Sequence, residues 1–382
     1  MSAPIKLAFN AVPLLSPLTG IGQYVRALGE ELLKSEELDV SFFYGVGWDR
    51  GLRDKVLPPV ANNFKLVVRK HLPYSYELNR WAQQKVFSRG VRGVKPTLYH
   101  EPSFLSYQFD GPTVLSVHDL SWIRYPEAHP AERVRAMHKF FEPSLRRADL
   151  VITDSDYVRG ELIEVFGVAE AKVKTIHLAA DEVFKRMSSE ETGSVLQGLG
   201  LTHGQYWLAV GTLEPRKNLR LLLEAFSQLP ASLRKRCPLV ISGMKGWGEG
   251  GWMRALTSLV QSGDVIYTGY LPRKEQAALV ASAKALVYPS LYEGFGLPLV
   301  EAMQCGVPVI ASDASCLPEV LGDAGVLIDP YDPDSLKDRL LELMDDKGLA
   351  TLLAEKSLRR SQDFSWKKCA QETVSVYKKA LA

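Results

Sequence analysis

Glu293 and Glu301, which have seven residues between them, are the side chains of this sequence best suited to bind hydroxyl groups. Carboxylates accept strong hydrogen bonds from sugar and ribose hydroxyls. Gly294 and Gly296 follow the first glutamate and let a ligand approach the backbone closely. A helix is expected to begin directly behind them, and its first N–H groups favour an anion. The pattern predicts a ligand with both hydroxyl and anionic groups; a βα turn with a capping glutamate is the alternative.

The elements that must position this turn can be read from its flanks. Residues 285–288 and 307–311 are short apolar runs typical of buried strands. Pro298 suits the first turn of a helix, and Gly306 suits its end. The sequence therefore predicts a strand, a glycine-bearing turn, a short helix and a second strand.

The adjacent cations Arg216 and Lys217 are a second candidate for chemistry. They stand between an apolar run at 206–210, predicted to be a strand, and a helix expected at about 219–229. Two cations there can neutralise a diphosphate and stabilise it as a leaving group. Exposed basic residues before a helix are common, so a solvated turn is the alternative.

His118 follows the apolar run 113–117, at the predicted carboxyl end of a strand. Ligands bind at that end of open α/β sheets. His118 can therefore donate to a sugar hydroxyl, with a purely structural histidine as the alternative. Asp154-Ser155-Asp156 contains an Asp-x-Asp pattern, but a helix N-cap formed by Ser155 or Asp154 explains it better, and no metal site is predicted.

Gly20 and Gly22 lie between a strand at 5–9 and a helix expected at 25–33. Such a turn either cradles a phosphate or sugar or is simply tight. Val25 occupies the place of the third glycine in the dinucleotide fingerprint, which disfavours a nicotinamide oxidoreductase.

Two motifs in combination, Glu-Gly-Phe-Gly-Leu-Pro within Glu-x7-Glu and Gly-Thr-Leu-Glu-Pro-Arg-Lys-Asn, resemble the signatures of the retaining glycosyltransferases of family 4. The resemblance spans nearly the whole chain and is strongest from about 206 to 330. It implies an α/β fold of the GT-B type, in which two Rossmann-like domains face each other across a cleft. The nucleotide-sugar donor would bind mainly to the second domain and the acceptor would approach from the first.

The resemblance also implies roles for the residues. His118, Glu293, Arg216 and Lys217 would be catalytic, with the two cations on the diphosphate and Glu293 and His118 on the sugar. Glu301 would bind the ribose. The remaining residues expected at the donor are Gly20, Gly22, Gly211, Gly243, Tyr270, Leu271, Gly294, Phe295, Gly296 and Leu297. The transfer would retain configuration without a metal, a further cofactor or a protein nucleophile, and the departing phosphate would take the proton of the acceptor.

Within the family, Val117-His118-Asp119-Leu120 together with Glu-Pro-Arg-Lys-Asn resembles bacterial mannosyltransferases of O-antigen and polysaccharide assembly. GDP-mannose or GDP-rhamnose is the expected donor, and a glycan on undecaprenyl diphosphate is the expected acceptor. A UDP-sugar donor remains open. A sugar-nucleotide epimerase of the same fold would need further acids or bases, and the intact site residues argue against a non-catalytic binding module.

The length of 382 residues suits two α/β domains, because single cores rarely grow beyond about 250–300 residues. We predict domains at 1–185, joined by a C-terminal helix at 366–382, and at 186–365, with a polar, irregular linker from about 181 to 204. The net charge of +2 does not indicate nucleic-acid binding. Four cysteines without a C-x-x-C pair, a first strand without a preceding signal peptide, and apolar runs short of a membrane span predict a cytoplasmic protein.

Residues 50–95 carry eleven Arg or Lys against two acids, Asp54 and Glu77, with aromatic residues interleaved. A solvated basic face is one interpretation. A second is a surface that binds anionic lipid or a lipid-diphosphate acceptor, which predicts peripheral contact with the inner face of the cell membrane. Nucleic-acid binding is a third interpretation and ranks behind both.

Overall fold

A computed structural model describes residues 3–16, 20–53, 75–246 and 251–382 of the chain. Those residues form two compact units. The first comprises the described residues of Met1–Ile123 together with His129–Leu178 and Trp366–Ala382, and the second comprises those of Arg124–Ala128 and Ala179–Ser365. The main division thus falls between Leu178 and Ala179, before the boundary expected at 185.

The first unit is built on a mostly parallel sheet of seven described strands in the order β3-β2-β1-β4-β5-β6-β7. Only the pairing of β3 with β2 is antiparallel among these strands. Neighbouring β1 and β4 mark the point where the strand order reverses, which is where open α/β sheets bind ligands. The strands are β1 Ile5–Asn10, β2 Leu38–Phe43, β3 Trp48–Asp49, β4 Leu98–Glu101, β5 Thr113–Val117, β6 Leu150–Thr153 and β7 Val173–Thr175.

Helices follow most strands of this unit, as expected for a parallel sheet covered on its faces. The described α-helices from Gly20 to Phe166, with the C-terminal helix, are α1 Gly20–Leu33, α2 Ser75–Val94, α3 Ser121–Arg124, α4 Ala131–Arg147, α5 Asp156–Phe166 and α15 Trp366–Leu381. Helix α1 begins at Gly20, five residues before the expected start at Val25, so both glycines lie inside its first turn.

The C-terminal helix is held in the first unit by a buried polar chain as well as by apolar packing. The hydroxyl oxygen of Tyr377, on α15, lies 2.7 Å from Nδ1 of His100 on β4. Nε2 of His100 lies 2.9 Å from Oγ of Ser116, which is also 2.9 Å from the hydroxyl of Tyr24 on α1. Burial lowers the pKa of His100 to about 3, so this ring is neutral at neutral pH.

The second unit is built on a parallel sheet of six described strands in the order β10-β9-β8-β11-β12-β13. The order reverses between β8 and β11, so their carboxyl ends define the expected ligand crevice. The strands are β8 Trp207–Val210, β9 Leu239–Ser242, β10 Val265–Gly269, β11 Ala285–Tyr288, β12 Val309–Ser312 and β13 Val326–Ile328. Two sheets of this kind confirm the expected α/β class.

Helices on the faces of the second sheet bury its apolar side chains in one core around Trp207, Leu222 and Phe226. The described α-helices are α6 Ser189–Gly198, α7 Leu219–Ser227, α8 Ala231–Arg236, α9 Gly251–Gln261, α10 Arg273–Ala281, α11 Leu297–Gln304, α12 Leu317–Leu321, α13 Pro333–Asp345 and α14 Lys347–Ser361. Short 3-10 turns occur at Val12–Leu15, Pro126–Ala128, Glu170–Lys172 and Pro215–Lys217.

Helix α6 overturns the expectation of an irregular linker from 181 to 204. Ser188 caps the helix by accepting from the N–H of Glu191, and the Glu191 carboxylate accepts from the N–H of Ser188 at 2.7 Å. This reciprocal capping box satisfies two backbone donors and starts a helix in an otherwise polar segment.

Candidate active site

The predicted strand, glycine-bearing turn, short helix and strand are confirmed as β11, the turn, α11 and β12. Gly296 adopts a left-handed conformation (φ 90°) as the residue before α11, and Pro298 lies in the first turn. Gly306 follows the helix with φ 69°. Glycine adopts this backbone region without the strain that a side chain would cause.

Arg216 and Lys217 lie in the 3-10 turn after β8, at the carboxyl end of the sheet. The turn is joined to the loop after β11 because the N–H of Leu291 donates to the carbonyl of Arg216 at 2.9 Å. The two loops that leave the crevice between β8 and β11 are therefore connected through their backbones.

Glu293 joins both cations. Nη1 of Arg216 donates to Oε2 of Glu293 at 2.9 Å, and Nζ of Lys217 donates to Oε1 at 2.6 Å. Arg216 also donates to the carbonyl of Tyr292. All three charged side chains are largely buried, with exposed fractions of 8–14%. The sequence predicted each of these residues as a site residue, and the structure brings them together.

Two further side chains complete this cluster and were not predicted. Nη2 of Arg216 donates to Oε1 of Glu214 at 2.6 Å. Nζ of Lys217 donates to the hydroxyl of Tyr288 at 2.8 Å and lies 5.0 Å from the centre of that ring. Glu214 precedes Arg216 by two residues in the quoted motif, so its charge was the available signal, whereas nothing in the sequence indicated Tyr288.

The electrostatics of the cluster favour an ionised Glu293. Burial raises the pKa of this carboxyl, but the charges of Arg216 and Lys217 outweigh it and hold the pKa at about 2. Burial, reinforced by Glu293, raises the pKa of Tyr288 well above 10, so its hydroxyl stays protonated. Two cations facing two carboxylates compensate each other, which lets this charge remain buried.

Glu301 forms a separate ion pair. It lies inside α11, is 3% exposed, and accepts a hydrogen bond from Nη1 of Arg273 at 2.8 Å. Burial raises the pKa of Glu301, and the charge of Arg273 opposes that effect. Arg273 was not predicted as a site residue; its position two residues after the Tyr270-Leu271 turn was the only signal.

The glycines after β8 and β9 bring two backbones into contact. A Cβ atom built on Gly243 would lie 1.9 Å from the carbonyl oxygen of Gly211, and both residues have positive φ (153° and 146°). The hydroxyl of Tyr267 donates to the carbonyl of Gly243 at 3.0 Å. Tyr270 is 55% exposed beside this turn.

Phe295 is positioned by packing. It is 4% exposed and meets Phe364 edge-on, with 5.7 Å between ring centres. The N–H of the preceding Glu293 donates to Oγ of Ser315 at 3.0 Å. The side chain of Phe295 therefore belongs to the packing behind the turn.

His118, Gly20 and Gly22 belong to the first unit. Nε2 of His118 lies 2.8 Å from the carbonyl of Pro102, which can only accept, so Nε2 carries a proton. Nδ1 lies 2.8 Å from Oδ2 of Asp154. Burial lowers the pKa of His118, but the charge of Asp154 and these hydrogen bonds outweigh it and raise the pKa above 6.5. A sugar hydroxyl would have to replace one of the two present partners.

Within the Asp154-Ser155-Asp156 pattern, Ser155 and Asp154 have different structural roles. Ser155 is the N-cap of α5 and accepts from the N–H of Val158 at 3.2 Å, which confirms the predicted cap. Asp154 instead orients His118, and this role was not predicted. Tyr24, two residues after Gly22, meets the His118 ring edge-on at 4.8 Å between ring centres and links the glycine turn to it.

The two sheets, with the cluster of Arg216, Lys217 and Glu293 where the strand order of the second sheet reverses, define a two-domain α/β protein. Residues 18–183 match the family Glycosyltransferase Family 4, and residues 201–360 match Glycosyl transferases group 1. The O-antigen chain mannosyltransferase B of Escherichia coli is 35% identical over 98% of this chain and 100% of that protein. The chain therefore belongs to the group 1 and family 4 glycosyltransferases.

Two further comparisons agree with this family. The serotype-specific mannosyltransferase WbdA of Escherichia coli is 31% identical over 70% of this chain, a match that covers 34% of that longer protein. The solved structure of sucrose-phosphate synthase from Thermosynechococcus elongatus superposes with a TM-score of 0.76 over 98% of this chain and 99% of that one, at 22% identity. The expected GT-B fold is thus confirmed.

Proposed function

We propose that this glycosyltransferase moves mannose from GDP-mannose, or rhamnose from GDP-rhamnose, onto a lipid-diphosphate-linked glycan during O-antigen assembly. The observation that carries the proposal is the buried cluster of Arg216, Lys217 and Glu293 at the point where the strand order reverses. The mannosyltransferase names of two relatives, one matched over its full length, support the sugar.

The cations of the cluster are the proposed diphosphate site. An incoming diphosphate would replace the Glu293 carboxylate as the partner of Arg216 and Lys217. The free backbone N–H groups at the N-terminus of α11 would add a second set of donors to the anion. Negative charge grows on the departing phosphate in the transition state, and two fixed cations stabilise it there. Glu293, released from the cations, would accept hydrogen bonds from hydroxyls of the sugar, and Glu301 from those of the ribose.

Retention of configuration is proposed without a covalent intermediate. The acceptor oxygen forms the new bond to the anomeric carbon on the face that the phosphate leaves, and the departing phosphate takes the acceptor proton. Glu293 has a pKa of about 2, which suits a hydrogen-bond acceptor better than a proton donor. The mechanism invokes no metal.

Helix α2 offers a surface for the lipid end of the acceptor. Leu78 and Trp81 are 66% and 60% exposed, and Lys85 lies 5.6 Å from the Trp81 ring. Residues 78, 81, 85, 89 and 92 fall on one helical stripe, so Arg89 and Arg92 extend the same face with positive charge. We propose that this α2 stripe rests on an anionic cytoplasmic membrane leaflet. Residues 54–74 of the basic stretch lie outside the described residues.

No helix among the described residues is long and apolar enough to cross a membrane. Surface contact through the α2 stripe does not need one, because an aromatic side chain and several cations can bind an anionic interface reversibly.

Thermal unfolding with a panel of nucleotides tests the donor assignment, because a ligand that binds the folded state raises Tm by mass action. GDP and GDP-mannose are expected to raise Tm, and Lys217→Ala is expected to abolish the shift. A shift with UDP and UDP-glucose alone would overturn the GDP donor but keep the transferase site. No shift with any nucleotide would contradict the proposed diphosphate site.

A further inference from the structure

Arg273 joins three parts of the second unit at one guanidinium group. Its Nη1 donates to Oε1 of Glu301 at 2.8 Å, and its Nε lies 3.6 Å from Oδ2 of Asp181. Its Cζ lies 4.3 Å from the centre of the Phe184 ring. Asp181 and Phe184 lie near the start of the long segment Ala179–Ser365 of the second unit, so Arg273 connects the start of that segment to the glutamate expected at the ribose.

Helix α11 also holds this segment, through Gln304. Nε2 of Gln304 donates to the carbonyls of Asp181 and Phe184, at 3.1 Å and 2.6 Å. Gln304 is the last residue of α11 and follows Glu301 by less than one helical turn. The segment is therefore fixed through its side chains by Arg273 and through its backbone by the helix that carries Glu301.

The hydrogen bond between Arg273 and Glu301 also acts on the charge of the carboxyl. Burial raises the pKa of Glu301, and the guanidinium of Arg273 opposes that effect without cancelling it. An ionised carboxylate only accepts hydrogen bonds, which is what a pair of ribose hydroxyls requires. The hydrogen bond from Arg273 to Oε1 restrains the rotation of the Glu301 carboxylate.

We infer that Arg273 is a positioning residue for the nucleotide ribose: it holds the carboxylate of Glu301 in place, and it connects the segment at 181–184 to the nucleotide site. This inference rests on the proposed function, in which Glu301 binds the ribose. It predicts an effect on binding that depends on the ribose hydroxyls, which a general loss of folding would not produce.

The experiment measures Kd by calorimetry for GDP, UDP and their 2′,3′-dideoxy forms. Arg273→Gln is expected to weaken binding of the ribonucleotide about tenfold and to leave the dideoxy form unchanged. Arg273→Lys, which keeps the charge, is expected to restore part of the difference. Lys274→Gln removes a neighbouring exposed cation from the same helix turn and serves as the control.

The outcomes separate the inference from the function on which it rests. Equal losses for ribo and dideoxy forms in Arg273→Gln would overturn the positioning role. If Glu301→Gln reduces the ribo preference but Arg273→Gln does not, Glu301 binds the ribose without Arg273 and the inference is wrong. If Glu301→Gln changes nothing, or if neither nucleotide binds, the proposed function fails and the inference fails with it.

Discussion

Nη1 of Arg216 lies 2.9 Å from Oε2 of Glu293, although 77 positions of sequence separate the two residues. Because Lys217 binds the other carboxylate oxygen, Glu293 occupies both cations that would hold the diphosphate of a donor. The carboxylate is thus an internal counterion of the two cations, and under the proposed function the diphosphate of the donor would displace it.

Glu293→Gln removes the internal counterion and keeps the shape of the side chain. We expect GDP to bind about tenfold more tightly, equivalent to about 1.4 kcal/mol, because the cations no longer prefer a protein carboxylate. Turnover is expected to fall about 100-fold, because a neutral amide binds the sugar hydroxyls less strongly than a carboxylate does and keeps only one acceptor oxygen. Calorimetry and initial rates measure the two effects, and an unchanged GDP affinity would refute the counterion role.

The pH dependence of stability should report the same ion pairs. The folded pKa of Glu293 is about 2 against an ordinary 4.5, so its contribution is complete above pH 4.5 and is lost as pH falls towards 2. That contribution is on the order of 3 kcal/mol. Urea unfolding of the wild type and of Glu293→Gln at pH 7, 5 and 3 should show the wild-type advantage shrinking below pH 5. A constant difference across this range would argue against a depressed pKa.

Gly243→Ala tests the contact between the backbones of Gly211 and Gly243. The added Cβ would meet a carbonyl oxygen at 1.9 Å, and alanine is strained at φ 153°. We expect the free energy of unfolding to fall by about 3 kcal/mol. Gly193→Ala is the control, because it lies within α6 with open space around it and should stabilise by about 0.5–1 kcal/mol. Equal effects of the two substitutions would exclude the close contact as the cause.

Asp154→Asn should lower the pKa of His118, because it removes the carboxylate that stabilises the imidazolium. We expect the NMR titration midpoint of His118 to fall by more than about one pH unit. A raised folded pKa stabilises the protein fully below the unfolded pKa of 6.5, and the stabilisation is lost as pH rises through the folded pKa. The wild-type advantage in unfolding free energy should therefore shrink at alkaline pH. An unmoved midpoint would show that Asp154 does not set the charge of His118.

The α2 stripe predicts salt-dependent binding to anionic vesicles. Lys85→Glu with Arg89→Glu should reduce sedimentation with phosphatidylglycerol vesicles at least tenfold, because each cation near such a surface contributes about 1 kcal/mol. Lys235→Glu with Arg236→Glu makes the same charge change on exposed residues of α8 and should have little effect. Equal losses of vesicle binding in both variants would show that only the net charge of the protein matters and would contradict the α2 stripe as the binding surface.

Much of the local structure of this protein follows from the chemistry of neighbouring residues and could be predicted from the sequence. Apolar runs such as 285–288 and 207–210 become strands because their side chains must be buried, and Pro298 and Gly306 mark the helix between β11 and β12 because their backbone preferences are intrinsic. The same reasoning identified Arg216, Lys217, Glu293 and Glu301 as residues of the site.

Tertiary structure alone decided how those residues are paired. Asp154 is hydrogen-bonded to His118, Glu301 to Arg273 and Lys217 to Tyr288, and at least 28 positions of sequence separate the residues of each pair. Such pairs leave no periodic pattern in the sequence, because the partner of a buried charge is whichever group the tertiary structure places within hydrogen-bond distance. Residue types and turns are local properties and appear in the sequence; the compensation of buried charges depends on the complete fold.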